Sequence, residues 1–205
     1  MFLCGILAVL TAQDDALAEK RLQRDTVMVG MFNYDLAMEI LAETNRLRDS
    51  AGLAPLVMSR TLTETAMLRA AEAMPLLPHP YNNPHNRPNG ERYWTVLDRQ
   101  DDCYPGGENI NWGGSTAQRI LYVWMHSEGH RKNIMNPEHK AIGIGVFRWY
   151  IDGKLVQSTC SLQIFTACTD VEEYRCEGKY TVRVRITSRE GERSQMLQRK
   201  TFRED

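Results

Sequence analysis

The sequence has 205 residues, 42% of them hydrophobic and 25% charged, which is typical of one folded domain with at most a small appendage. This composition excludes collagen-like, mucin-like and wholly disordered chains. Twenty-five Lys and Arg residues against 26 Asp and Glu residues give a formal net charge of −1, which does not favour binding to nucleic acid. The cysteine count is five, and an odd count raises the question of a free thiol.

The first 33 residues predict a leader followed by a linker. Residues 1–13 are apolar but span only about half the length of a membrane-crossing helix, which fits the apolar region of a secretory signal. No Lys or Arg precedes them, so a buried N-terminal segment is the alternative, and Met28 and Met31 are alternative starts. No other stretch is long enough to cross a membrane. We therefore expect a secreted protein with no transmembrane anchor in its mature chain.

Two helices are predicted next. Apolar residues recur on one face of Tyr34–Ser50, and Gly52 is suited to end that helix. Ser59 is suited to cap a second helix that stops before Pro75. Prolines then predict an ordered loop over Pro75–Gly90, and a second loop is predicted over residues 103–109.

Two more helices follow these loops. Ser115 or Thr116 is suited to cap the third, which turns Trp124 and other apolar residues inward. Ser127 is suited to cap a short fourth helix, with Glu128 at its first position, where a negative charge favours the helix dipole.

The C-terminal half predicts strands. Apolar residues recur with a period of two from Ile142, Asp152-Gly153 is typical of a hairpin turn, and Lys154–Thr166 predicts a returning strand. Tyr180–Thr187 alternates in the same way, and Met196–Phe202 is its predicted partner. Helices followed by antiparallel strands predict an α+β fold with helices packed on a sheet and a C-terminal β extension.

Three segments concentrate polar residues and glycine at helix ends, where side chains can converge on one cleft. They are residues 85–90 (HNRPNG), 107–110 (GENI) and 124–134 (WMHSEGHRKNI). In this order they resemble the signature of the CAP superfamily, the SCP-like domain of cysteine-rich secretory proteins, antigen 5 and plant pathogenesis-related proteins. They are most similar to its bacterial branch. Residues 45–56, 142–146 and 163–165 also resemble the first helix and two strands of that family.

The resemblance implies a three-layer α-β-α sandwich around a twisted antiparallel sheet. The chain would then divide into a leader and linker over residues 1–33, the CAP domain over 34–168 and the β extension over 169–205. The family's central cleft is lined by two histidines and two acids. His85, Glu108 and His130 match three of these, the fourth position holds Ser127, and the neighbouring Glu128 is a substitute acid.

Two imidazoles and one carboxylate suit Zn²⁺ with an open fourth position, so His85 and His130, with Glu108, are the candidate metal ligands. The alternative is that Glu108 only hydrogen-bonds the two histidines and holds the loops together. Ser127 beside His130 also resembles a nucleophile and its base, although helix capping explains this serine better.

Three further residues are candidates for the cleft. Arg87 is expected to pair with an acid, to contact a ligand or simply to lie at the surface. Asn109 is expected to tie loops through backbone hydrogen bonds. Trp112 is the tryptophan best placed to line the cleft, because it precedes two glycines.

Three functions follow from these candidates. The first is a secreted module that binds a small molecule, a lipid or a protein, which is what the family resemblance favours. The second is a metal-dependent peptidase or esterase with Glu108 as the candidate base. The third is a cell-surface interaction protein that uses the extension. The sequence identifies no catalytic residue other than the candidate base Glu108, so it does not decide whether the protein is an enzyme.

The cysteines indicate an oxidising compartment. Removal of the leader removes Cys4 and leaves four cysteines, which allow three complete pairings. Closeness in sequence favours a disulfide between Cys168 and Cys176, with Cys103 and Cys160 as the remaining pair.

Overall fold

The computed structural model of the chain describes residues 25–74, 83–97, 105–169 and 171–202. The strands of this part are β1 (Thr26–Asn33), β2 (Val57–Met58), β3 (Pro105–Trp112), β4 (Ala141–Ile151), β5 (Lys154–Leu155), β6 (Cys160–Thr166), β7 (Lys179–Ile186) and β8 (Gln195–Thr201). The helices are α1 (Tyr34–Ser50), α2 (Arg60–Glu72), α3 (Ala117–Met125) and α4 (Glu128–Ile134), with a 3₁₀ turn at Tyr93–Val96.

All the strands join in a single sheet. Its main order is β3-β6-β4-β1-β7-β8 with antiparallel neighbours, while the short β2 runs parallel to β4 and β5 folds back on β4. The predicted α+β class with an antiparallel sheet is therefore confirmed. The hairpin turn predicted at Asp152-Gly153 is also present, since both residues have positive φ angles.

Helices cover both faces of the sheet. On one face α2 lies so close to β4 that a Cβ atom at Gly143 or Gly145 would overlap the backbone of the helix. On the other face, Nε2 of Gln163 in β6 donates a 3.0 Å hydrogen bond to Oγ1 of Thr44 in α1. The molecule therefore has three layers, and glycines in β4 allow the closest of the helix contacts.

The helix ends follow local capping chemistry. α1 spans Tyr34–Ser50 as predicted, and Gly52 beyond its end has a φ of +70°. Ser59 and Thr116 cap α2 and α3 as predicted, because each side-chain oxygen accepts a 3.3 Å hydrogen bond from the N–H three residues on. Ser127 occupies the same position before α4, but its side chain makes no such bond.

Two predicted elements need correction. Residues 105–109 belong to strand β3 and not to a loop. Gly106 and Gly107 in this strand lie close against neighbouring side chains. A Cβ at Gly106 would lie 2.9 Å from Nε2 of His139, and one at Gly107 would lie 2.8 Å from Oδ1 of Asn133. The returning strand predicted over Lys154–Thr166 is interrupted, so that only β5 and β6 pair with the sheet. Residues 75–82 of the predicted proline-rich loop lie outside the described residues.

The first and the last of the described strands both contribute to the sheet. The linker expected up to residue 33 includes β1, which pairs with β4 at three positions and with β7 at all eight of its residues. The extension forms the predicted strand pair, β7 with β8, and continues the main sheet. Residues 26–33, expected as linker, are therefore part of the sheet. The leader expected over residues 1–13 lies outside the described part of the chain.

The cysteine pairing expected from the sequence is wrong. Cys160 and Cys176 are free thiols, whereas Cys168 is disulfide-bonded, so neither expected pair forms. Cys160 lies inside β6, fully buried between Trp112 of β3 and Phe147 of β4. Burial raises the pKa of its thiol to about 12, which makes it an unreactive core residue.

No helix among the described residues is long and apolar enough to cross a membrane.

Candidate functional site

A buried carboxylate connects the first histidine of the motif set to helix α2. Nδ1 of His85 lies 2.8 Å from Oε1 of Glu108, and Nε of Arg69 lies 3.0 Å from Oε2 of the same carboxylate. The Glu108 and Arg69 side chains are fully buried, while that of His85 is 39% exposed. Because an ionised carboxylate only accepts hydrogen bonds, Nδ1 of His85 is the nitrogen that donates to Glu108, and in the neutral ring Nε2 is then an acceptor.

The ion pair continues away from the cleft as a chain of alternating charges. Glu72 is 4.0 Å from Arg69, and both of its oxygens receive the fork of Arg87 at 2.9 and 3.1 Å. Arg87 also donates to Glu91 and to Thr95, each at 3.1 Å. Burial alone would lower the pKa of Arg87, but Glu72 and Glu91 raise it overall. Arg87, expected to contact an acid, a ligand or solvent, is thus a buried partner of acids.

His130, the second histidine of the motif set, lies at the start of helix α4. Burial lowers the pKa of its imidazole, and the nearby His85 lowers it further. Its Nδ1 atom is buried and has no hydrogen-bond partner among the described residues. A buried polar atom without a partner is costly, so this nitrogen is a position at which the described part of the chain leaves a hydrogen bond unmade.

Two asparagines hold the backbone of α4 against strand β3. Nδ2 of Asn109 donates to the carbonyl of His130 at 3.1 Å and also to Oε1 of Gln163 at 3.1 Å. Asn133 donates to Oδ1 of Asn109 at 2.9 Å and to the carbonyl of Glu108 at 3.2 Å. Asn109, expected to tie loops, therefore joins strand β3 to the backbone of helix α4.

Aromatic side chains extend outward from His85. The His85 and Tyr93 rings meet edge to face with centroids 6.4 Å apart, and Trp94 continues the row at 5.1 Å. Burial raises the pKa of Tyr93, and the nearby Glu108 raises it further. Trp94 and Trp112 are 44% and 42% exposed, and Nε1 of Trp112 donates to the carbonyl of Ala73 at 2.9 Å. The Tyr93–Trp94 pair is thus an exposed aromatic surface beside the histidine.

Two of the candidates do not join this site. Glu128 is exposed at the first turn of α4, and Ser127 is half-buried before it. Within the described residues, neither side chain hydrogen-bonds His85, Glu108 or His130. Glu128 therefore does not take the place of the family's second acid by contacting these residues. Ser127 makes no hydrogen bond to a base that would activate it.

The pairing of Glu108 limits what this site does chemically. Both carboxylate oxygens face Arg69, and one also faces His85, so the charge that a general base or a metal ligand needs is already compensated. Across residues 25–74, 83–97, 105–169 and 171–202, no group of three His, Cys, Asp or Glu side chains is arranged to hold a metal ion.

Arg69 and Glu72, which carry the ion chain, were missed among the sequence motifs. Both lie on α2 and both are fully buried. In the sequence they are two oppositely charged residues, three positions apart, next to the alanines of that helix. Two opposite charges next to a core-facing stripe indicate buried ion pairing, but the partners lie on other elements and are fixed only by the fold.

A model of the cysteine-rich secretory protein family, CAP, matches residues 41–169, which is more than half of the chain. The chain belongs to the CAP family. The matched residues of this CAP protein include His85, Glu108 and His130, whereas β1, β7 and β8 lie outside the match. The resemblance drawn from the three motifs is thereby confirmed.

Curated relatives come from bacteria. The CAP protein is 32% identical over 107 residues to the uncharacterized protein YkwD of Bacillus subtilis, a match that covers 52% of this chain and 40% of the relative. It is 28% identical over 116 residues to the uncharacterized membrane protein YlbC of the same organism, covering 55% of this chain and 32% of the relative. The chain thus spans well under half the length of these relatives.

Solved structures give weaker matches. An extracellular SCP-domain protein of Bacillus anthracis aligns with a TM-score of 0.48 at 17% identity and covers 65% of this chain and 41% of that one. An outer surface protein of Borrelia burgdorferi aligns with a TM-score of 0.47 at 17% identity, covering 63% of this chain and 90% of that one.

Proposed function

We propose that this CAP protein is a secreted binding module without enzymatic activity, whose cleft between His85 and His130 takes a small lipid-like molecule. The observation that carries the proposal is the buried Arg69–Glu108 pair. Since Arg69 compensates the carboxylate, the cleft wall presents imidazole edges and aromatic rings in place of a reactive charge. Such a surface is typical of pockets that bind largely apolar molecules through a few polar contacts.

The polar contacts of the proposed ligand come from the two histidines. Nε2 of His85 is an acceptor because Nδ1 faces Glu108, and Nδ1 of His130 has no partner in the described part of the chain. The lowered pKa of His130 keeps its ring neutral near pH 7. A hydroxyl group on the ligand suits the partly exposed His85, because a hydroxyl donates to an acceptor such as Nε2.

The apolar contacts come from the exposed aromatic pair. Trp94 is 44% exposed although it packs against Tyr93, so much of its ring is available to a ligand. Burial of an exposed aromatic surface supplies a large part of the free energy of binding in such sites.

Secretion is part of the proposal. The disulfide bond of Cys168 supports it, because disulfides persist in oxidising compartments and are rare in the cytosol. Free Cys160 is compatible with export, since its burial protects it from oxidation.

Zinc is a second candidate occupant, favoured by the orientation of His85. A histidine that donates one ring N–H to a carboxylate offers its other nitrogen to a metal. Zn²⁺ would be held by His85 and His130, with Glu108 as the hydrogen-bond acceptor behind His85 and not as a ligand. Two protein ligands are fewer than the three of catalytic zinc sites, so we expect weak binding.

The experiment is extraction of the purified full chain with organic solvent, followed by mass spectrometry of what is released. We expect wild-type protein to release a bound lipid and Trp94→Ser to release much less. Leu197→Ser is the matched control, since Leu197 is 51% exposed on the edge strand β8. Equal release from all three proteins, or no release above that of an unrelated protein, would overturn the lipid proposal.

Two parallel measurements separate the other functions. Ester or peptide turnover that disappears in Glu108→Gln would contradict the non-enzymatic proposal. Metal analysis after equilibration with zinc tests the second occupant, and we expect any bound zinc to be lost in both His85→Ala and His130→Ala. Zinc that survives both substitutions does not bind in this cleft.

A further inference from the structure

The turn between β7 and β8, residues 187–194, lies outside the family match yet rests on the segment that carries His85. The backbone N–H of Gly191 donates to Glu91 at 3.0 Å, and Asn89 donates to the carbonyl of Glu192 at 3.3 Å. Arg193 reaches the carbonyl of Leu97 at 3.4 Å. Three contacts therefore join the turn to residues 89–97.

A fourth contact enters the buried ion chain. Oγ of Ser194, which is 6% exposed, donates to Oε1 of Glu72 at 2.6 Å and accepts from the backbone N–H of Thr187 at 3.3 Å. The turn thus holds the hydroxyl in place from one side while the hydroxyl contacts a fully buried carboxylate on the other.

Glu72 and Glu108 share one guanidinium group. Arg69 lies 3.0 Å from Glu108 but 4.0 Å from Glu72, so it leans towards the cleft carboxylate. Glu72 tolerates this distance because Arg87 and Ser194 already donate to it. A buried carboxylate that loses a donor attracts the remaining cation more strongly, because few other groups compensate its charge.

From these contacts we infer that the β7–β8 turn is a positioning element for the cleft, acting through Ser194, Glu72 and Arg69 on the Glu108–His85 hydrogen bond. Loss of the Ser194 hydroxyl would draw Arg69 towards Glu72 and away from Glu108. The Glu108 carboxylate would then be less compensated and would attract the Nδ1–H of His85 more strongly, which shortens that hydrogen bond. The inference rests on the proposed function for its importance to a ligand, but the coupling itself needs no ligand.

The test is a comparison of imidazole ¹⁵N shifts in the full chain, measured by NMR without added ligand. In the wild type, one protonated and one unprotonated nitrogen give His85 two widely separated shifts. We expect Ser194→Ala to move the Nδ1 shift of His85 downfield, as a stronger N–H···O hydrogen bond does, and to leave the shifts of His126 in place, because His126 contacts Tyr122 on α3 instead of the ion chain.

Ser158→Ala is the matched control. Ser158 is half-buried in the connection before β6, and its hydroxyl makes no hydrogen bond among the described residues. We expect its His85 shifts to equal those of the wild type. Unchanged His85 shifts in folded Ser194→Ala protein, or the same change in Ser158→Ala, would overturn the inference.

A second variant covers the case in which Ser194→Ala fails to fold. Asn89→Ala removes the contact with Glu192 from a half-exposed position and should change the His85 shifts in the same direction by a smaller amount. Unchanged His85 shifts there would then count against the inference. Because the readout contains no ligand, failure of this test leaves the binding proposal standing, and failure of lipid extraction leaves the coupling standing.

Discussion

The two histidines of the family motifs, His85 and His130, are held in different ways. His85 is held through its ring, which faces a buried carboxylate that is itself paired with Arg69. His130 is held through its backbone carbonyl, which accepts from Asn109, while its ring nitrogen Nδ1 has no partner among the described residues. The ring of His85 is thus oriented by a charged side chain, whereas no described side chain fixes Nδ1 of His130.

In His85 the side chain itself is held by a hydrogen bond, whereas in His130 only the backbone is held. Buried ion pairs fix geometry because breaking one member leaves an uncompensated charge. Backbone hydrogen bonds fix the position of a helix while leaving the side chain available. Four substitutions or titrations test the contrast.

The strongest test breaks the charged support. Arg69→Met leaves Glu108 buried without its cation, and we expect a loss of about 3–5 kcal/mol in the free energy of unfolding. Urea denaturation measures it. Arg46→Met is the control, because Arg46 forms an exposed pair with Glu43 and should cost less than about 1 kcal/mol. Equal losses in the two variants would contradict the assignment of a structural role to the buried pair.

The next test breaks the backbone support of His130. Asn109→Ala removes three hydrogen bonds, one of them buried and two partly buried, and we expect a loss of about 1–3 kcal/mol in the free energy of unfolding. Asn111→Ala on the same strand removes one bond, to the carbonyl of Gly113, and should cost less. A larger cost for Asn111→Ala would show that the asparagine ties do not hold this side.

Acid titration sharpens the comparison. Burial lowers the pKa of both His130 and His139 below 6.5, with contributions from the nearby charges of His85 and Arg48 respectively. The unfolded chain therefore binds more protons than the folded one between these lowered values and pH 6.5, so stability falls as the pH drops through that window. Urea unfolding at pH 7.5 and pH 5 measures the fall, and His130→Gln should reduce it. A fall of the same size in that variant would exclude His130 as a contributor.

The smallest effect is expected at the outer end of the ion chain. Thr95→Val removes a hydroxyl that donates to Glu91 at 2.7 Å and accepts from Arg87 at 3.1 Å. Glu91 is partly exposed, so water replaces the lost donor, and the free energy of unfolding should change by about 0.5–1.5 kcal/mol. Thermal unfolding checks this value, and a loss as large as that of Arg69→Met would show that the whole chain of charges acts as one unit.

Elements with local signals were predictable from the sequence, and elements defined by distant partners were not. The caps at Ser59 and Thr116 and the turn at Asp152-Gly153 follow from adjacent residues. Strand β1 was not predicted, because the buried residues in its second half follow one another and do not alternate with exposed ones. The Glu108–Arg69 pair joins residues 39 positions apart, so only the packing of α2 on the sheet brings them together.

The residues of the candidate site were likewise predictable where a motif marks them and not where a distant partner defines them. His85, Glu108 and His130 were recognised from motif order, and the structure brings the Glu108 carboxylate and the His85 ring into contact. Arg69 was not recognised, because an arginine in a helix carries no motif until its carboxylate is known. The same holds for Ser194, whose role depends on a turn that docks across the molecule.

The pairing of β1 with β7 has a consequence for how the protein is made. Strand β1 is synthesised long before β7, yet the two pair along all eight residues of β1. Contacts between such distant segments form late, because the loop between them must close first. The sheet therefore stays incomplete until β7 has been made, and β1 has no β7 partner for most of the time that the chain is being synthesised.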